Sequence, residues 1–157
     1  NMYVLAESTT GRLETANSAL KDNLKTWLNR YRMINDTIDI LDAKVVNIGI
    51  EFEVVSDGTN RFDVLDEATS TLQTKFNRDF FIGERLKITD IYTALNSARG
   101  VSDVTKVKIV AKSGGRYAQT GFNIDSQISA DGRYIAVPDN VALEIKFPGT
   151  DIRGSVK

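Results

Sequence analysis

Between Val45 and Val54 the chain alternates apolar and polar residues with scarcely a break. Val46, Ile48, Ile50, Phe52 and Val54 fall on one face of an extended strand; Asn47, Gly49, Glu51 and Glu53 fall on the other. A period of two marks a strand that is buried on one side and wet on the other. A second such run covers Val101 to Ala111. There Val101, Val104, Val107, Ile109 and Ala111 build the apolar side, and Lys106, Lys108 and Lys112 the polar one.

Elsewhere the period lengthens. From about Thr15 to Tyr31, Leu20, Leu24, Leu28 and Tyr31 recur at three- and four-residue steps with Trp27 beside them, while Lys21, Asp22, Lys25 and Asn29 face outward. That spacing predicts an amphipathic helix. Asn60 to Arg78 predicts another, with Phe62, Leu65, Ala68 or Thr69, Leu72 and Phe76 as its apolar stripe. Asp63, Asp66 and Glu67 stand near its N-terminus, where the helix dipole favours negative charge. Phe80-Phe81-Ile82-Gly83 breaks the pattern, and a shorter helix follows from about Ile88, with Ile91, Tyr92, Leu95 and Ala98 on its apolar side. Gly100 sits where a helix C-terminus wants a left-handed residue.

Ahead of the first helix, Met2 to Leu5 reads as a short strand closed by the Ser8-Thr9-Thr10-Gly11 turn. Arg32 to Asp42 reads as a loop with a short edge strand. After Ser113-Gly114-Gly115 helical periodicity vanishes; turns at Asp131-Gly132 and Pro138-Asp139-Asn140 flank strands over Tyr134 to Val137 and Val141 to Phe147. The expected fold class is therefore α+β. It divides into a ferredoxin-like β-α-β-α-α-β domain over 1–112 and a small β-rich C-terminal extension over 113–157. The extension is too short to hold a generous core alone, so it must lean on the larger domain, on a partner chain, or on both. Its apolar residues Tyr134, Ile135, Val141, Leu143 and Phe147 are the interface candidates, and they predict a homodimer.

Composition narrows the function classes. At 157 residues, 41% hydrophobic and 26% charged, the chain is ordinary globular material. Twenty basic against twenty-one acidic residues leave a net charge of −1, with no global pull toward nucleic acid or anionic membrane. The chain has neither Cys nor His, so disulfides, thiolate zinc sites, cysteine nucleophiles and imidazole bases are excluded. No apolar run approaches the roughly 20 residues of a membrane span, and Asn1 to Thr10 lacks the pattern of a signal peptide. The opening Asn1-Met2, leading directly into a strand, reads as the tail end of a longer polypeptide.

Few residue groups invite chemistry. Asp36, Asp39 and Asp42 recur every third residue, yet they lack the spacing and central Gly of a calcium loop and read as solvated carboxylates. Glu51 and Glu53 share a strand face about 7 Å apart. A catalytic carboxylate pair comes from separate elements in a cleft, so these two read instead as a wet face or as partners of Lys106 and Lys108 across the sheet. Gly114-Gly115-Arg116 lacks the ending of a phosphate loop and reads as a flexible connector. Asn35-Asp36-Thr37 matches a glycosylation sequon without any sign of secretion. The lysine-bearing strand displays no aromatic on which a base could stack, which leaves a ligand- or nucleic-acid-binding module as the alternative function. Trp27, Tyr31, Tyr134, Phe147 and Ile152 are large groups near segment ends that could serve an interface; core filling is at least as good a role for Trp27 and Tyr31.

Three segments carry a family resemblance: Met2-Tyr3-Val4-Leu5; Asn35 to Ala43 leading into Val45-Val46-Asn47-Ile48; and Ile88 to Leu95 followed by Arg99-Gly100-Val101-Ser102-Asp103-Val104. In this order they resemble the C-terminal part of baseplate J-like proteins of contractile phage tails. Within that group the chain is most similar to the baseplate wedge proteins of T-even-like phages. The resemblance spans about Met2 to Val110, and the tail from Ser113 to Lys157 resembles only the narrower wedge group. It implies a late structural protein of the virion, assembled in the host cytoplasm. Such a protein associates with itself and with other wedge proteins to form the ring around the tail hub. It implies no enzyme, no catalytic residue, no metal and no cofactor, and no nucleic-acid or membrane partner.

Overall fold

The computed structural model describes residues 1–34 and 36–157. Asn35, which opens the second resemblance segment and the sequon, lies outside the described residues. The chain starts with three short strands, β1 (Met2–Val4), β2 (Ala6–Glu7) and β3 (Leu13–Glu14), then helix α1 (Ser18–Leu28) and strand β4 (Ile40–Asp42). The long alternating run forms β5 (Lys44–Ser56). After it come α2 (Arg61–Phe76), β6 (Leu86–Lys87), α3 (Ile88–Asn96) and the second long strand, β7 (Val101–Lys112). The last third holds β8 (Tyr134–Ile135), β9 (Val141–Glu144), the one-turn helix α4 (Pro148–Asp151) and β10 (Ile152–Val156). The class is α+β, as the alternation of periods predicts.

β5 is the axis of the molecule. β7 runs antiparallel along one edge, while β9 and β10 lie end to end along the other, both parallel to β5. The register places Ile109 and Ile152 on either side of Ile50, and Leu143 beside Val46, so the apolar alternation of every strand shares one face. Val104 and Val107 are three apart and would oppose each other on a regular strand. The register slip between Glu53 and Val54 brings both to the core side, Val104 opposite Val54 and Val107 opposite Phe52.

Helices α2 and α3 cover this face. Val46, Ile48, Ile50 and Val54 of β5 are completely buried against Val64, Ala68 and Leu72 of α2 and Ile91 and Leu95 of α3. Each large side chain so placed contributes about 1.5–3 kcal/mol of transfer free energy. The buried stripe of α2 is Val64, Ala68, Leu72 and Phe76, not the predicted one that begins at Phe62. At 3.6 residues per turn Phe62 lies about 100° from the centre of that stripe, and it is 80% exposed. Gly100 adopts φ +82°, as its place after α3 requires, and a Cβ there would meet Val64 at 2.8 Å.

Two expectations are corrected. β1 does not enter the central sheet; it pairs in parallel with β4, Met2 opposite Ile40, as a separate two-stranded ribbon. The 113–157 segment, for its part, is built into the sheet, because the thirteen-residue β5 has a whole edge of backbone groups that β7 does not pair. β9 and β10 fill that edge. As a result Val141 and Leu143, expected as exposed interface residues, are buried in the core, and so is Ile135 of β8, which pairs with Leu86 of β6.

The region ahead of β5 is different. The main hydrophobic core draws on no residue before Val46. Seven of the ten large apolar side chains found exposed among the described residues lie between Met2 and Leu41, which singles this region out as the uncovered part of the surface.

Candidate interaction surface

α1 and the segment that follows it to Ile34 carry most of that surface. The start of α1 is set by Asn17, whose side-chain oxygen accepts the Leu20 amide at 2.7 Å, satisfying one of the free donors of the first turn. The Asn29 amide donates back to the Lys25 carbonyl at the other end. One anchor to the body is the ion pair from Lys21 Nζ to Asp42 Oδ2 of β4, at 2.8 Å. Although the apolar stripe is present as predicted, no residue of α1 is buried. Leu24 and Leu28 are half-buried, while Leu20 is exposed and Trp27 is 53% exposed. Tyr31 stands 4.9 Å from the Trp27 ring and is 72% exposed, so the core-filling role does not hold for this pair. Met33 and Ile34 continue the apolar surface, the latter 99% exposed. Between α1 and the first strands lies an open apolar groove of about 370 Å³, lined by Val4, Leu5, Ala16, Leu20 and Leu24.

The polar face of the sheet is partly closed. Asn47 donates to Glu144 Oε2 at 2.6 Å and accepts the Ala118 amide at 2.7 Å, and the Leu13 amide donates to Glu144 Oε1 at 3.1 Å. Asn47, Glu144 and Asp151 are all buried, and every buried polar side-chain atom among the described residues has a partner. Tyr117 donates to Asp151 Oδ1 at 2.5 Å, and the Phe147 amide donates to Oδ2 at 2.8 Å. The Asp151 carboxylate accepting that bond, together with partial burial, raises the Tyr117 phenol above its usual range. Phe147 is half-buried between the guanidinium groups of Arg12 and Arg116, 4.8 and 5.0 Å from its ring centre. Gly114 and Gly115 form a turn that delivers Arg116 and Tyr117 to this cluster, where a flexible connector was expected. Tyr134 is likewise half-buried, under Arg85 at 5.2 Å. Thus none of the five predicted interface residues forms an open apolar patch.

Farther along the same face Glu51 lies opposite Lys108 and Glu53 opposite Lys106, the pairing that alternation suggested. Glu53 also pairs with Lys157 and accepts a hydrogen bond from Thr105 Oγ1 at 2.9 Å; these two partners hold its carboxyl below the usual value. Signs alternate across this surface, and Glu51 and Glu53 share a strand instead of facing each other across a cleft. Asp42 is occupied by Lys21, and Asp36 and Asp39 are exposed. Among the described residues no three acidic side chains converge to hold a metal ion, and no helix is long and apolar enough to cross a membrane.

An open cleft of about 530 Å³ lies at the start of α2, lined by Asp57, Thr59, Asp63, Glu67 and Arg99. The Thr59 hydroxyl and amide donate to Asp57 and lower its pKa. The chain matches no protein-family model, and no curated protein matches it either.

Proposed function

We propose that this chain is an assembly subunit, a protein that works by presenting surfaces to neighbours. More particularly, we read it as a structural subunit of a contractile-tail baseplate wedge. It associates with its own copies and with other wedge proteins in the ring around the tail hub, and it carries no catalytic step. The observation that carries the reading is α1, an amphipathic helix whose Leu20 and Trp27 face solvent beside an apolar groove, with the exposed Tyr31 just past its end. Contiguous apolar surface of this kind is what partner-binding faces provide. The resemblance of Met2 to Val110 to baseplate J-like proteins supplies the particular assembly. On the same reading the sheet is a ferredoxin-like variant. What supports this is a long central strand with an antiparallel neighbour on one side, parallel neighbours on the other, and two helices across one face.

The test is direct mixing with the purified wedge subunits of a T-even-like contractile tail, followed by sedimentation velocity. A discrete complex weakened about tenfold or more by Trp27→Ser is expected, since aromatic anchors carry a large share of interface energy. No complex with any wedge subunit, or a complex indifferent to Trp27→Ser and Leu20→Ser, would overturn the reading.

A further inference from the structure

The central sheet ends differently on its two sides. On one side of β5 the edge is broken into β9 and β10, four and five residues long, with α4 between them. On the other side β7 is a twelve-residue strand that pairs only with β5. Every second residue of an edge strand turns its amide and carbonyl outward. Beyond Val101 the backbone of β7 finds no backbone partner other than β5 among the described residues. Thr105 has no opposite number in β5, so the strand bends there and leaves a regular stretch over 106–112. Short strands and bulges protect sheet edges, and this stretch has neither.

Its side chains restrict what can pair there. Lys106 and Lys108 are exposed on the polar side and join no ion pair among the described residues. On the other side Val107 is half-buried and Ala111 exposed, so the apolar face of the sheet is still open at this edge. β5 meets the inner edge with Glu51 and Glu53 opposite Lys108 and Lys106, and with Phe52 opposite Val107 between them. Acidic, apolar, acidic is the pattern that already fits this strand.

We infer that the outer edge of β7 takes up an extended segment of another protein, a strand with carboxylates at alternate positions and apolar residues between them. This deepens the assembly reading by giving the chemistry of one partner, and it uses a surface separate from α1. Backbone hydrogen bonds supply the attachment, and alternate side chains the choice of partner. Carboxylates opposite Lys106 and Lys108 make favourable cross-strand pairs, while the apolar residues extend the core face beyond Val107 and Ile109. A second β7 does not fit. With apolar sides matched, an antiparallel copy centred anywhere from Lys106 to Val110 sets one lysine directly opposite another. The lysines therefore exclude the strand's own copy and admit an acidic one.

The test uses the full chain and a blocked peptide, Ser-Thr-Ile-Glu-Val-Glu-Val-Thr-Ser, with the protein amides followed by NMR. Saturable binding below about 1 mM is expected, weakening about tenfold as salt rises from about 0.05 to about 0.5 M. A peptide with Lys in place of both Glu should bind about tenfold more weakly. Hydrogen exchange of alternate amides within 106–112 should slow about tenfold or more on binding, while amides of β1 and α1 keep their rates. N-methylation of one alternate set of peptide amides should abolish binding, and the other set should tolerate it. Lys106→Gln/Lys108→Gln, which leaves neutral groups opposite Glu51 and Glu53, should lose the preference for the Glu peptide. No saturable binding, equal binding of the Lys peptide, or protection outside β7 each overturns the inference. If the Trp27-dependent wedge complex forms while the peptide fails to bind, this inference falls alone. If the peptide binds and no wedge complex forms, the assembly reading falls alone.

Discussion

α1 and α2 read alike in the sequence, as helices with leucines and aromatics at three- and four-residue steps, yet the molecule uses them in opposite ways. α2 buries Val64, Ala68, Leu72 and Phe76 against the sheet; α1 buries no residue fully and leaves Leu24 and Leu28 half-covered. Periodicity reports that a helix has an apolar face, but only tertiary packing decides what covers it. α2 follows β5 directly and shares its core face. α1 is placed by the β1–β4 ribbon and the Lys21–Asp42 pair, outside that core. Equal patterns therefore lead to stability in one case and to an available surface in the other.

The sharpest way to break this contrast is to truncate each helix. Leu72→Ala should lose about 2–5 kcal/mol in urea unfolding, because it empties a fully enclosed site. Leu20→Ala, at an exposed position of α1, should change stability by no more than about 0.5 kcal/mol. Equal losses would mean that α1 is part of the cooperative core.

A next, smaller effect tests the sheet edge supplied by 113–157. The Phe52 ring lies over Gly154 of β10, so that a Cβ there would fall 2.2 Å from the ring. Gly154→Ala should cost about 1–3 kcal/mol through overpacking, read as a lower thermal midpoint. Asn47→Ala should cost about 1–3 kcal/mol, because Glu144 and the Ala118 amide lose their buried partner. An unperturbed midpoint in either variant would detach the C-terminal segment from the stability of the body.

pH produces the smallest effects. The hydrogen bond to Asp151 raises the folded pKa of Tyr117 above its ordinary value of 10.0. Its contribution is complete below that value and is lost as pH rises through the raised one. Wild type should therefore lose stability on the alkaline side more steeply than Tyr117→Phe. At the acid end the Arg78 guanidinium, 2.6 Å from Glu84, lowers the carboxyl below 4.5. That contribution is present above 4.5 and disappears as pH falls through the lowered value. Arg78→Ala should flatten this acid limb, costing less than about 1 kcal/mol near neutrality because the pair is partly exposed.

Much of the fold was legible, and the failures share a cause. The alternation in β5 named its buried face residue by residue, and Glu51 and Glu53 stand opposite Lys108 and Lys106, one of the two roles it left open for them. What local pattern could not show was long-range pairing: that β9 and β10 complete β5, and that β1 stays outside the sheet. Since Ile135, Val141 and Leu143 look the same in sequence whether they face a neighbour or their own core, the interface candidates went astray there. The better candidates, Trp27 and Tyr31, were visible but ambiguous, because a buried stripe and an exposed one have the same spacing.

Trp27 is the single tryptophan of the chain, so its fluorescence reports α1 alone. The most direct measurement is its emission and iodide quenching as protein concentration rises from the nanomolar range. The account predicts a red-shifted, readily quenched signal in dilute solution that turns blue and protected as copies associate, with a weaker change in Leu20→Ser. An emission already blue and inaccessible to iodide in the dilute monomer would place α1 inside the fold and contradict the account.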